Sequence, residues 1–308
     1  MTVWAPVKIS ISEAATFLHE RYGSLVRHVA PVAEQGLWSS TYRFSHGPHE
    51  RVVRFGPSRE AFERDAFVAR HAPARLPVPP VHEIGAAFGH FFAISDFAPG
   101  AIIDKIGAAE MRRTLPSLFG VLDAVREIDL GATTGYGYWD SNGAGIDPTW
   151  EYVMVGGIPR WRAGVAGSKV GLASFEAGVA RILELLPYSP PLRHLVHSDL
   201  LHRNVLVADG RVTALLDWGS SFIGDFLYDI AWLDFWQPWY PQWAGVDLAA
   251  AARAHYAATG LEVEHFAERL RCYELRIAVS SQEWFSERGE TANLERVARQ
   301  TMTLAGAR

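Results

Sequence analysis

HLVHSDLLHRNVLVADGRVTALLDWGS, residues 194–220, sets Asp199, Asn204 and Asp217 around two short apolar runs. The runs meet at Asp209-Gly210, and an Asp-Gly pair between alternating residues is a strong hairpin signal. A hairpin brings its two ends together. Asn204 enters this one and Asp217 leaves it, so the two are expected to be neighbours. Asp199 ends the short strand LVHSD, one loop earlier.

An amide oxygen and a carboxylate converging on one spot suit a hard divalent cation such as Mg²⁺. A further carboxylate one loop away could accept the proton of a hydroxyl nucleophile. Phosphoryl transfer needs that pairing of metal and base. The run His197-Ser198-Asp199-Leu200-Leu201-His202-Arg203-Asn204 also has the kinase catalytic-loop spacing H-x-D-L-x-x-x-N. Asp217-Trp218-Gly219 stands where D-F-G would. Each residue alone is weak, because lone Asp and Asn residues are usually turn formers; the combination is specific.

Two rival readings are poorer. His197, Asp199 and His202 could form a hydrolase metal triad, but the rest of the chain supplies no matching ligands. GVAGSKV at 164–170 has a P-loop look without the Gly-Lys-Ser/Thr ending that sets the Lys on phosphates, and reads as a flexible loop.

Outside the island, 308 residues exceed what one core comfortably serves and suggest two lobes. Hydrophobic residues at 49% and charged residues at 20% describe a globular chain, not a disordered one. A net charge of −5 without any Lys/Arg run argues against nucleic acid and is compatible with a cationic ligand. The single cysteine, Cys272, excludes a disulfide framework and a Cys-based metal site. The start MTVWAPVKISISEAATFLHE lacks the pattern of a signal peptide, and no apolar run approaches the roughly 20 residues that span a bilayer. A soluble, cytoplasmic monomer is expected.

Ser10 and Glu13 have capping-box spacing before a helical period that Gly23 stops. TYRFS and ERVVRF alternate around HGPH, and VHEIGAA and HFFAISDF alternate around Gly89, giving two hairpins. A helix over 60–71 lies between them, followed by the irregular LPVPP. Beyond Ala98-Pro99-Gly100, helical spacing covers 107–129, 172–186, 247–258 and 262–288. The stretch 131–148 reads as a long surface loop. The predicted class is therefore α+β and bilobal: a small β-rich lobe over 1–97, a larger helical lobe over 98–308, and a hinge at about 95–100.

HSDLLHRNVLVADGRVTALLDWGSSFIGDFLYDIAWL resembles the H-G-D-x-x-x-x-N … I-D-W … G-D … D-x-A signature of the aminoglycoside phosphotransferase family, which shares the protein-kinase fold. RHLVHSD, DGRVTALLDWG and the FW-x-PW element at 235–239 are most similar to its hygromycin B kinase branch. The resemblance implies Asp199 as catalytic base, Asn204 and Asp217 as Mg²⁺ ligands, and ATP or GTP as donor. Asp225 and Asp229 would brace the loop after Asp217 or serve as helix caps. QGLWSSTYRF resembles the loop that covers the phosphates, with Ser39, Ser40 and Thr41 offering hydroxyls and amides. Arg54 stands where the family usually has Lys, and Asp65 matches its Glu, a longer arm meeting a shorter one. Ser95, Asp96 and Phe97 would offer backbone groups to adenine. Ser198 replaces the usual Gly and also stands where protein kinases have Arg; with no A-P-E segment, an unregulated small-molecule kinase is implied.

A polycationic acceptor needs carboxylates and aromatic faces. Asp234, Glu274, Glu283 and Trp236 are the candidates, within a run that also holds Trp232, Trp239 and Trp243. The expected acceptor is an aminoglycoside, of the hygromycin or of the gentamicin or kanamycin type. A metabolic kinase for choline, a ketosamine or a sugar is the alternative, and a nucleotide-binding pseudokinase scaffold is a third reading.

Overall fold

The computed structural model describes residues 5–306, apart from 132 and 141. The first four residues of the N-terminal stretch and two of 131–148 therefore lie outside the described residues. In chain order the elements begin α1 (Ile11–Tyr22), β1 (Val26–Pro31), β2 (Ser40–His46), β3 (His49–Gly56) and α2 (Arg59–His71). They continue β4 (Val81–Ala87), β5 (His90–Asp96), β6 (Ala101–Ile102), α3 (Ala108–Arg126), β7 (Tyr136–Trp139) and β8 (Gly145–Asp147). Next come α4 (Trp150–Val155), α5 (Ile158–Val165), α6 (Lys169–Leu185), β9 (His194–Val196), β10 (Val205–Ala208), β11 (Arg211–Leu215) and β12 (Phe222–Gly224). The chain ends with α7 (Leu227–Trp236), α8 (Leu248–Thr259), α9 (Phe266–Glu287) and α10 (Thr291–Gly306).

Contacts divide the chain into two units. One holds the residues up to Ile106 together with Leu201–Ser220; the other holds Gly107–Leu200 and Ser221–Arg308. In the first, five antiparallel strands run in the order β1-β2-β3-β5-β4. Alternation sends Tyr42, Phe44, Val53, Phe55, Phe92 and Ile94 to one face. That face meets Ala14 and Leu18 of α1, which starts at the expected capping box: Ser10 Oγ accepts from Glu13 N at 3.2 Å and Glu13 Oε2 from Ser10 N at 2.7 Å.

The island hairpin forms as read. Val205 pairs with Leu215 and Ala208 with Arg211 across Asp209 and Gly210, both at positive φ (51° and 72°). The expected boundary at 98 assigns this hairpin to the second lobe, whereas its contacts lie in the first unit. β10 pairs with β6, Leu215 N donates to Pro77 O at 2.8 Å, and Thr213 Oγ1 donates to Pro99 O at 2.7 Å.

In the second unit a four-stranded sheet, β8-β7-β12-β9, accompanies the helices. α9 is largely buried, polar residues such as Arg269, Glu274 and Gln282 included, and packs on α5, α6, α7 and α10. Among the described residues, no helix is long and apolar enough to cross a membrane.

Two expectations are corrected here. The stretch 131–148 is not a plain loop, since it contains the β7–β8 pair. Glycines hide the pattern: Gly137 has φ +71°, and a Cβ there would sit 2.0 Å from the Asp147 carboxylate. GVAGSKV is mostly helical, with α5 ending at Val165 and Ser168 capping α6 through Gly171 N at 3.0 Å. Helices α4, α5, α7 and α10 also fall outside the expected helical ranges.

Candidate active site

In the first unit, β3 carries Arg54 and α2 carries Asp65. Arg54 is not a solvent-facing strand residue: its guanidinium hydrogen-bonds Asp65 and lies 4.8 Å from the Phe62 ring centroid. Its Nη1 is 3.5 Å from Asp217 Oδ1. Asp65 spends its other oxygen on the backbone, accepting from Trp218 N at 2.8 Å. One short carboxylate thus ties the cation to the residue after Asp217. Arg64 adds a bond to Gly219 O at 2.7 Å, and α2 comes so close that a Cβ on Gly219 would lie 3.1 Å from the Ala61 Cβ.

Burial pulls the Arg54 guanidinium down, but Asp65 and Asp217 outweigh it and the net direction is up. Burial pushes the Asp65 carboxyl up, opposed first by Arg54. The two donors aimed at Asp65 need an anionic acceptor, so the pair is read as ionised.

The hairpin ends meet as its register requires, with Leu216 N donating to Asn204 O at 2.8 Å. Asn204 is buried, while Asp217 is exposed and held at φ +61°. The preceding residues His202 and Arg203 also have positive φ, 60° and 80°. Their N–H groups both point to Asp104, at 3.0 and 2.8 Å. Asp104 was not singled out from sequence; its only local signal is an acid shortly after the Pro-Gly break.

The loop over 32–39 lies between β1 and β2. Gln35 clips its base, accepting from Thr41 N at 2.8 Å and donating to Thr41 O at 2.9 Å. Ser40 faces inward: its hydroxyl donates to Val7 O at 2.9 Å and accepts from Ile9 N at 3.1 Å. Ser39 is half-buried beside Gly36. At the end of β5, Ser95 pairs with Val52 and Asp96 with Arg51. The N–H of Asp96 is given to Pro80 O and that of Phe97 to Glu50 O, both at 3.1 Å. The Arg43 guanidinium lies 4.0 Å from the Phe97 ring centroid.

In the second unit, β9 leads into His197, Ser198 and Asp199. Asp229 on α7 accepts from His197 N at 3.0 Å and Ser198 N at 2.8 Å. It therefore braces the loop that carries Asp199, not the loop after Asp217. Burial raises the Asp229 carboxyl, and His197 opposes that. His197 Nδ1 accepts from Asp199 N at 3.2 Å, which places the proton of a neutral ring on Nε2. Ser198 is held at φ +62°.

Asp225 is fully buried and caps the start of α7 through Leu227 N at 3.1 Å. It meets Arg269 twice, at 3.0 and 2.8 Å, and Tyr273 OH at 2.5 Å. Burial, with Asp225 next, drives the Tyr273 phenol well above its ordinary value.

The four acceptor candidates separate. Asp234 and Glu274 hydrogen-bond each other and line a cavity of about 290 Å³ with Asp247, Arg253 and Arg271. Burial, then Asp234, pushes Glu274 up to about 8. Glu283 stands nine residues further along α9, two and a half turns and hence on the opposite side, paired with Arg160 at 3.3 Å. Trp236 is 6% exposed and packs edge-on against Trp239, with ring centroids 5.1 Å apart. Among the described residues, no three His, Cys, Asp or Glu side chains gather where they could hold a metal ion.

The profile of the phosphotransferase enzyme family matches residues 30–267. The chain is 31% identical over 242 residues to the hygromycin-B 4-O-kinase of Escherichia coli, spanning 75% of this chain and 69% of that protein. Among solved structures, aminoglycoside phosphotransferase APH(4)-Ia superposes with a TM-score of 0.84 at 26% identity, over 97% of this chain and 100% of that one. A thermostable mutant of it, in a ternary complex with AMP-PNP and hygromycin B, superposes at 0.82 with 28% identity, over 94% and 97%. The fold is accordingly the α+β, protein-kinase-like architecture expected from the sequence.

Proposed function

Since the chain belongs to the phosphotransferase enzyme family, we propose that it moves the γ-phosphoryl group of ATP or GTP onto a hydroxyl of an aminoglycoside antibiotic. The hydrogen bond to Asn204 from Leu216, the residue before Asp217, with Arg54 reaching Asp217, carries this reading. In it, Asp199 accepts the proton of the attacking hydroxyl. Arg54, kept charged by Asp65, pairs with the nucleotide phosphates. The 32–39 loop offers backbone N–H groups to the same phosphates, and the 95–97 segment offers backbone groups to adenine.

Asn204 and Asp217 would hold Mg²⁺. The fit is supported by their hard oxygen donors, and by the exposure of Asp217, which leaves room for the water and phosphate ligands that Mg²⁺ retains. When bound, the ion offsets negative charge on the transferring phosphoryl group.

For the acceptor we retain Asp234 and Glu274, which share one acid-lined cavity. Its lining sets three acids, Asp234, Asp247 and Glu274, against Arg253 and Arg271; an arriving ammonium group would draw off the Glu274 proton, and the excess of acids favours a cationic drug over a neutral sugar. Glu283 and Trp236 are left out, one on the opposite side of α9 from that cavity and the other held by ring packing. The phosphate added to the drug brings about −1.5 to −2 charge, which weakens its grip on RNA and confers resistance. We place the reaction in the cytoplasm, carried out by a monomer of two lobes.

Expression in a susceptible bacterium on an aminoglycoside panel tests the proposal. Raised tolerance to at least one drug, lost in Asp199→Ala, is the expected result. Purified Asp199→Ala should keep nucleotide binding while turnover falls about 10²–10⁴-fold. Unchanged tolerance to every drug would favour a metabolic acceptor such as choline or a ketosamine.

A further inference from the structure

We propose that Glu34 is a positioning residue for the nucleotide, holding the 32–39 loop against the segment that leads into Asn204. The inference rests on reading the chain as a nucleotide-dependent phosphotransferase. Glu34 lies within the loop, one residue before Gln35 and two before Gly36. One of its oxygens accepts from Lys105 Nζ and the other from Arg203 Nε at 3.3 Å. Arg203 directly precedes Asn204, and Lys105 directly follows Asp104.

Asp104 and Lys105 therefore work as a two-sided clamp. Asp104 takes the N–H groups of His202 and Arg203, fixing the backbone before Asn204. Lys105 and Arg203 then take Glu34, fixing the loop. Gln35 already closes the base of the loop on Thr41. The loop is thus held at its foot by an amide and along its length by an ion pair. Ordering a loop costs conformational entropy, and a loop ordered in advance spares the ligand that cost. The two cations keep the Glu34 carboxyl below its usual range, Lys105 first, so the clamp persists at neutral pH.

The full-length protein decides the matter by kinetics and by titration with a fluorescent ATP analogue. At low salt, Glu34→Gln should raise the nucleotide KM and the analogue Kd about two- to fivefold, the scale of exposed ion pairs. kcat should move less than KM. At about 0.5 M salt the gap from wild type should narrow, since exposed charges are then screened within a few ångströms. Lys105→Glu should shift KM in the same direction. Glu34→Lys combined with Lys105→Glu should recover part of either single loss. A purely structural role for Glu34 would lower the melting temperature without salt-dependent KM. An unchanged or lower KM in Glu34→Gln, or a double swap no better than its singles, overturns the proposal. If the wild type binds the analogue but phosphorylates no acceptor, the functional reading fails while the titrations still judge Glu34.

Discussion

Ser198 is held at φ +62°, next to the residue proposed as base. A Cβ in the left-handed region costs about 1–2 kcal/mol, whereas glycine gives up about 0.5–1 kcal/mol in chain entropy. The first figure is larger, so Ser198→Gly should stabilise the protein by about 0.5–1 kcal/mol, measured by urea denaturation. Asp229 keeps its bonds to the same backbone N–H groups in that variant, so the base stays placed. The Ser-for-Gly exchange was visible in the sequence; the strain it carries was not, because φ is decided by the Asp229 carboxylate, 31 residues away. Arg54 behaves similarly. Its spacing was legible, but its second role, reaching Asp217, depends on how α2 docks beside Gly219.

Between elements, α7 is the piece that patterns least well and matters most. It is apolar nearly all round, so no helical period betrays it. Asp229 on it faces the loop of the base, and Asp225, two residues before its start, faces α9. Asp225 and Arg269 form a buried bidentate pair, and such a pair punishes the loss of one partner more than it rewards the presence of both. Arg269→Ala should therefore cost about 3–5 kcal/mol in urea denaturation, and Arg269→Lys less. The functional consequence follows from the same contact. If the start of α7 loosens, Asp229 loosens with it, and Arg269→Ala should lower kcat under conditions where the variant is still folded. The G-D … D-x-A resemblance singles out Asp225 and Asp229 as loop braces or helix caps; Asp225 caps α7 and Asp229 braces the loop of the base, and which loop a carboxylate meets is not written in its spacing.

Over the molecule as a whole, the acid pair of Asp234 and Glu274 makes stability depend on pH. Burial raises both carboxyls, Glu274 to about 8 from 4.5. Between those values the folded chain keeps a proton that the unfolded chain has released. Stability should thus be fully present below about pH 4.5 as far as this group is concerned, and fall as pH rises through 8. Glu274→Gln removes that slope. Its melting temperature should exceed that of wild type at pH 8 and approach it at pH 5, as thermal denaturation across that range would show. The KM for the drug should rise in the same variant while that for nucleotide stays nearer wild type, if the pair meets the acceptor.

What the sequence determined by itself is local. The capping box, the hairpins at 40–56 and 81–96, and the Asp209-Gly210 turn arise from contacts between near neighbours, so their patterns survive in one dimension. The return of Leu216, the residue before Asp217, to Asn204 is of this kind, since a tight turn leaves the ends nowhere else to go. Tertiary structure decided the partners of the charges. Glu34 finds Arg203 across 169 residues, Asp65 finds Trp218 across 153, and Arg269 finds Asp225 across 44. A carboxylate accepts from whatever donor the fold delivers, and only packing determines which donor that is.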